Sequence, residues 1–240
     1  MSSKLQTVAQ VLLDHRGTDE GFWAWLVNGK PASKKDASKF LLGSILDYQI
    51  PAERAWENAR RLAEDILDDP DDLWHRISSI PKSEWMSRRA EYSLHRFPQA
   101  HERVWRIASD IVAHYDGDAR RIWENQPPRV VLDRLNWLRV GEQISQMVVG
   151  ALIDTGQIEG SGDVKADAHV RRVLGRLLRG HPFTLREASA AVEATRKMHH
   201  ENPWLLDRPL YLLGKRVCHA SDPKCGECYA RGVCTFYGMT

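Results

Sequence analysis

The chain has 240 residues, 42% hydrophobic and 28% charged, with a formal net charge of +2. This is the composition of a folded protein long enough for one large or two small cores, and it excludes a disordered chain. No apolar run approaches membrane-spanning length, and so mild a basic excess permits a nucleic-acid partner without arguing for one.

The opening residues, MSSKLQTVAQ, show no basic segment followed by a long apolar stretch, so the expectation is a chain kept in a reducing cytoplasm. Helical spacing of apolar residues begins in 37–49 (ASKFLLGSILDYQ) and returns in 101–115 (HERVWRIASDIVAHY). Ile144, Met147, Val148, Ala151 and Leu152 form one apolar stripe, and Val170, Val173, Leu174, Leu177 and Leu178 repeat its offsets. No stretch alternates long enough to predict a strand. Proline and glycine breaks fall at 29–31, 69–70, 81, 98, 127–128, 156–162, 180–182 and 203, which gives roughly nine to eleven helices. The stretch 159–162 (EGSG) reads as the internal linker. Trp23, Trp25, Trp56 and Trp105 sit in helical apolar patterns and are assigned to the core.

Just after the linker, Asp167 precedes an apolar-periodic run and is a natural N-cap. A carboxylate fixed in that way can also stabilise a developing cation, and a capping role does not exclude a catalytic one. The last informative feature is the set of four cysteines, Cys218, Cys225, Cys228 and Cys234, spaced C-x6-C-x2-C-x5-C and the only ones in the chain. In a reducing compartment they are read as metal ligands rather than disulfides. Structural zinc favours two tight pairs, whereas only Cys225 and Cys228 form a CxxC here. The wider spans suit a larger body such as a [4Fe–4S] cluster, although spacing by itself leaves zinc open.

Residues 166–173 (ADAHVRRV), followed by LLGKRVC ending at Cys218 and by the other three cysteines, resemble the helix-hairpin-helix DNA glycosylases of the endonuclease III type. Residues 41–49 (LLGSILDYQ) look like the family helix whose terminal glutamine reaches into DNA. The resemblance covers about residues 35–240 and is weakest between 70 and 130. It implies an all-α, two-lobed fold. A six-helix barrel would span 35–158, and an iron–sulfur domain would combine 1–34 with 159–240, with a [4Fe–4S] cluster on the four cysteines. It also implies a monomer acting on double-stranded DNA with a damaged or mispaired base, in the nucleoid-associated cytoplasm of a prokaryote.

Residue by residue, the resemblance makes Asp167 the catalytic carboxylate, on one wall of a cleft between the lobes. Gln143 would stand on the other wall, at the place of the lysine that the family's lyase members use. The family hairpin Leu-Pro-Gly-Val-Gly is matched only in part by 137–141 (WLRVG), with Val140 and Gly141 kept and Arg139 replacing the first glycine. Glycines there allow close approach to a phosphate, so the grip is expected to weaken, with Arg139 as compensation. Gln49 is the candidate to fill the gap left by a flipped nucleotide. Lys165, Arg171 and Lys224 are assigned to the DNA-facing surface, with Arg172, Arg176, Arg179, Lys215 and Arg216 reinforcing it. His169 belongs to the same motif and is expected to serve structure more than chemistry. The implied activity is a glycosylase without strand cleavage. The alternatives are an attenuated DNA-binding lesion sensor, suggested by the altered hairpin, and a lyase using another lysine such as Lys165.

Overall fold

The periodicity is realised as helices joined by short connections in a computed structural model that describes residues 2–18 and 21–239, with the backbone alone for Ser2 and Ser3. Met1, Asp19, Glu20 and Thr240, which the expected domain ranges include, lie outside the described residues. In chain order the helices are α1 (Ser2–Asp14), α2 (Lys34–Leu46), α3 (Ala52–Arg60), α4 (Leu73–Ser79), α5 (Lys82–Ser87) and α6 (Arg89–Tyr92). There follow α7 (Pro98–Tyr115), α8 (Pro128–Trp137), α9 (Glu142–Asp154), α10 (Ala168–Arg179), α11 (Ala188–Met198) and α12 (Asp207–Arg216). The described residues contain no strand. The expected breaks separate these helices, and Pro98 and Pro128 open α7 and α8, where a missing N–H costs nothing. Twelve helices exceed the expected range because 82–92 folds as two very short ones that carry no readable period.

The chain forms two compact units, Asp19–Glu159 and Met1–Thr18 with Gly160–Thr240. The C-terminal limit falls at the linker expected from glycine content. The N-terminal limit does not fall at residue 34. Residues 21–33 belong to the first unit because hydrogen bonds tie them to the end of α9. The Trp23 indole donates to Asp154 at 3.0 Å, Gly29 N–H donates to Thr155 O at 2.9 Å, and the Gln157 amide clasps Ala32 N–H and Lys30 O. Trp23 and Trp25 therefore lie in an irregular segment rather than in a helix, and Trp25, Trp56 and Trp105 are half-buried instead of fully enclosed.

Within Asp19–Glu159 the central element is α2, buried continuously from Ala37 to Leu46. A helix enclosed on nearly every side can be apolar all round, which its sequence almost is. The exception, Lys39, donates to Glu64 at 2.8 Å and lies over the Trp25 ring. Around α2 pack Ala55 and Ala59 of α3, Trp74 and Ile77 of α4, Val104, Ile107 and Ile111 of α7, and Val148 and Leu152 of α9. Hairpin helices α8 and α9 present Val131, Leu135 and Ile144 to the same interior.

In the other unit α10 is the core helix. Its stripe of Val170, Val173, Leu174 and Leu177 packs with Val8 and Leu12 of α1, Ala191 and Met198 of α11, and Leu210 and Leu213 of α12. Cys218, Cys228 and Cys234 are half-buried against this core, so the cysteine loop is an extension of it.

One close approach fixes how α2 and α3 cross. A Cβ placed on Gly43 would sit 2.1 Å from the Trp56 ring, well inside contact distance. Gly43→Ala is expected to force the indole aside and destabilise the protein by about 1–3 kcal/mol, the usual range for overpacking, measurable by urea unfolding.

Candidate functional site

Asp167 adopts extended backbone dihedrals directly before α10 and caps it. Its Oδ1 accepts from His169 N–H at 2.8 Å and from Val170 N–H at 2.9 Å, while Oδ2 receives no hydrogen bond from the described residues. The carboxylate is half-buried at the positive end of the α10 dipole and feels the charge of Arg172. The cap thus fixes one oxygen and leaves the other for a partner. Lys165 is anchored through its backbone, whose N–H donates to Asp207 Oδ1 at 2.6 Å.

The remaining motif residues are engaged within their own unit. His169 meets the Tyr211 ring edge-on, with centroids 5.5 Å apart, and its Nδ1 lies 3.0 Å from Arg172 Nη2. Arg171 turns back on its own unit, donating to Ala166 O at 3.1 Å and Phe183 O at 3.4 Å. The arginines expected to reinforce a phosphate surface are likewise engaged. Arg172 donates to Cys218 O at 2.7 Å and Gly214 O at 2.9 Å, and Arg179 forms a two-pronged pair with Glu187. Arg176, 6% exposed, reaches His219 O at 2.6 Å, Ala220 O at 2.9 Å and Cys218 Sγ at 3.3 Å, with Phe236 against its guanidinium. Their positions off the apolar stripe assigned these groups to a phosphate-binding surface. That assignment missed that the C-terminal carbonyls of α12 and the loop after it require donors.

The cysteine loop is built on that scaffold. Cys218 N–H donates to Leu213 O at 2.7 Å, and Lys224 N–H to Val217 O at 3.0 Å. On the far side, Thr235 and Phe236 N–H groups bond Leu177 O and Arg176 O, returning the chain to the end of α10. All four cysteines are free thiols, half-buried, and line one cavity with Val173, Leu177, Leu213, Val217 and Arg176. Among the described residues no group of three or more His, Cys, Asp or Glu side chains converges as a site for a single metal ion. The thiols surround a space. Four soft sulfur donors in a mostly apolar wall, with one guanidinium directed at a sulfur, fit a polynuclear iron–sulfur group. Lys224 is exposed, with no side-chain partner among the described residues.

In the Asp19–Glu159 unit the helix-hairpin-helix is formed despite its altered sequence. Leu138 is buried where the family has proline. Arg139, in place of the first glycine, takes the left-handed conformation itself (φ 57°), at a cost of about 1 kcal/mol for a residue with a Cβ. Val140 is fully buried, and its N–H donates to Leu135 O at 3.1 Å. Gly141 has φ 104°, and no atom lies within 4 Å of where its Cβ would be. The first N–H bonded inside α9 is that of Ser145, to Gly141 O at 2.8 Å. The N–H groups ahead of it emerge at the open end of the helix. Gln143 is exposed in that first turn. Gln49 is also exposed, but α2 stops at Leu46, so Gln49 projects from a turn, with φ 53°.

No protein-family model matches the chain. Among solved structures, it is similar to endonuclease III in a trapped covalent DNA intermediate, the estranged-adenine complex, with a TM-score of 0.67 and 14% identity over 100% of this chain and 98% of that one. A non-covalent endonuclease III–DNA complex gives a TM-score of 0.67 at 17% identity, over 100% and 97% of the two chains. A thermostable thymine-DNA glycosylase gives 0.63 at 16%, over 99% and 98%. The chain has the all-α helix-hairpin-helix glycosylase fold that the sequence resemblance implied.

Capping and chemistry at Asp167 separate by substitution. Asp167→Ala removes the acceptor and is expected to lower stability by about 1 kcal/mol, whereas Asp167→Asn keeps a competent cap and stays within a few tenths of the wild-type value in thermal or urea unfolding.

Proposed function

We propose that the protein is a DNA base-excision glycosylase that removes a damaged or mispaired base without cutting the backbone. The observation that carries this reading is the half-engaged carboxylate of Asp167 in a chain with this fold. One oxygen is immobilised by two backbone N–H groups, and the other is available to a developing positive charge. A nucleotide rotated out of the duplex, at a cost of a few kcal/mol that is least for damaged pairs, exposes its glycosidic bond. As that C1′–N bond breaks, its electron pair leaves with the base and the sugar acquires oxocarbenium character. A fixed carboxylate opposes that charge and orients the water that adds to C1′ and releases a proton. Substrate binding falls to the hairpin end of α9, where the first-turn N–H groups donate and the uncrowded Gly141 lets a phosphate oxygen come close. Exposed Gln49 fills the vacated position in the stack, and exposed Lys224 meets the backbone.

Strand cleavage requires an amine that attacks C1′ and holds it as a Schiff base. Gln143 offers an amide, whose nitrogen lone pair is delocalised, and serves instead as a hydrogen-bonding group toward the base or the water. The half-engaged Asp167 carboxylate supports catalysis over the alternative of a sensor that only binds, since binding alone has no use for it.

Cys218, Cys225, Cys228 and Cys234 would hold a [4Fe–4S] cluster, and Arg176 would donate to one ligand sulfur. When bound, the group supplies a covalent cross-link among four points of a loop that has little core of its own.

Two experiments test this reading. Lesion-bearing duplexes incubated with the protein and then treated with hot alkali should break at the modified site, and Asp167→Asn should slow base release by about 10²–10³-fold. Base release by the Asp167→Asn variant at the wild-type rate would remove Asp167 from the mechanism, and a covalent adduct after borohydride treatment would mean a lyase. Separately, protein purified anaerobically should be brown and yield about four irons and four sulfides per chain, the content of one cube. A zinc-loaded, colourless protein would overturn the cluster assignment.

A further inference from the structure

Several arginines of the Asp19–Glu159 unit are paired with carboxylates and others are not. Arg60, Arg88 and Arg120 each have a carboxylate oxygen within 3 Å. Arg96, Arg103, Arg106 and Arg139 form no ion pair among the described residues. Three of these four interact with one another. Arg103 and Arg106 lie one turn apart on α7, and Arg106 is partly buried and feels the positive charge of both Arg139 and Arg103. Of the acidic groups it also feels, Glu102 is committed to Lys82 at 2.6 Å, and Asp110 makes no ion pair with it. Burial first, and Arg139 next, hold the Arg106 guanidinium below its usual range.

The backing of this group is aromatic. Tyr48 stacks on His95 at 4.3 Å, with Phe97 6.3 Å from Tyr48. Arg103 lies over Tyr48 and Arg96 over Phe97, both at 4.7 Å. His95 is fixed as a neutral ring, one nitrogen accepting from Phe97 N–H and the other donating to Tyr48 O. The rings hold the guanidinium planes of Arg103 and Arg96 in place through cation–π contacts, so these two are positioned before any ligand arrives. Next in sequence after Tyr48 is the exposed Gln49.

Like charges gathered without a carboxylate in ion-pair contact, one of them partly desolvated, are unfavourable in the isolated protein and are relieved by an anion. Inorganic counterions would serve weakly, whereas a polyanion that presents successive phosphates would engage several guanidiniums at once. We propose that Arg103, Arg106 and Arg139 form a phosphodiester clamp, a direct guanidinium grip on consecutive phosphates of a duplex that replaces part of the backbone grip lost with the hairpin's first glycine. The same position that carries the left-handed backbone of Arg139 supplies one arm of the clamp. The clamp rests on the DNA reading above and adds α7 to the interface.

The salt dependence of duplex binding tests it, since each phosphate contact contributes about 0.9 to the slope of log K against log salt. Arg103→Gln, Arg106→Gln and Arg139→Gln should each lower the slope by about 0.9, and the triple variant by about 2.7, on damaged and undamaged duplex alike. Arg106→Lys and Arg139→Lys keep the charge and should keep the slope while losing affinity, which guards against misfolding as the cause. Arg60→Ala, which removes a paired arginine, should leave the slope unchanged. Slopes unaltered in the three glutamine variants, or lowered equally by Arg60→Ala, would overturn the clamp. Charge-dependent binding with the expected slopes but no base release from any lesion would leave the clamp standing and remove the glycosylase. A wild-type protein that binds no duplex would remove both.

Discussion

The cysteine-bearing unit depends on the guanidiniums that α10 directs at the chain beyond α12. Arg172 satisfies Gly214 O and Cys218 O, and Arg176 satisfies His219 O and Ala220 O, carbonyls that a helix end and an irregular loop cannot pair internally. A buried guanidinium presents donors in a rigid plane that need acceptors, and the Nη1 and Nη2 groups of Arg176 find them in these carbonyls, so the demand is mutual. Ala in place of Arg172 would leave the carbonyls of buried Gly214 and half-buried Cys218 without these donors, each costing about 1–3 kcal/mol. The same helix carries Asp167 at its first turn. Whatever fixes the loop to α10 therefore also fixes the frame in which that carboxylate points, and on the proposed reading a structural cluster and a catalytic residue share one rigid body.

The hairpin of the other unit shows how a backbone motif survives a substitution that steric preference opposes. A left-handed turn is needed between α8 and α9, and glycine would supply it without strain. Arg139 adopts it nonetheless, because buried Leu138 and Val140 on either side over-determine the chain path. The strain of about 1 kcal/mol is small beside the burial of two aliphatic side chains, at about 1.5–3 kcal/mol each. The motif is thus defined by flanking apolar anchors and by Gly141, where no side chain crowds the open end of α9. The missing glycine changes the surface chemistry of the turn while leaving its geometry intact.

Much of this was legible from residue order. The stripes of α9 and α10, the proline-initiated α7 and α8, the cap at Asp167 and the linker before residue 160 follow from period, propensity and turn chemistry, which are local. What was not legible is long-range. Nothing in 21–33 indicates that its N–H groups will pair with the end of α9, more than a hundred residues later, so the unit boundary was misplaced. Arg171, Arg172, Arg176 and Arg179 read as a DNA-facing cationic surface because one-dimensional periodicity records what an arginine is beside, and not which carbonyl needs it. Gln49 reads as a helix terminus and lies in a left-handed turn beyond one, a shift within the ordinary uncertainty of helix ends.

That distinction between committed and uncommitted cations also explains why net charge is a poor guide here. A total of +2 argues almost nothing about partners. Yet the arginines of α10, the most basic segment by eye, are nearly all consumed by the protein's own carbonyls and by Glu187. Of the uncommitted ones, Arg103 and Arg106 stand on α7, in the stretch where the family resemblance was weakest, and Arg139 stands on the hairpin turn. A paired arginine contributes little field beyond about one Debye length, because its dipole decays faster than a bare charge and salt screens the remainder. The field an incoming polyanion meets is set by the unpaired groups alone. For a helical protein of nearly balanced charge, locating the binding face therefore means subtracting every arginine that already has a partner, and among those that remain in Asp19–Glu159, Arg106 is set apart by feeling the charge of both Arg103 and Arg139.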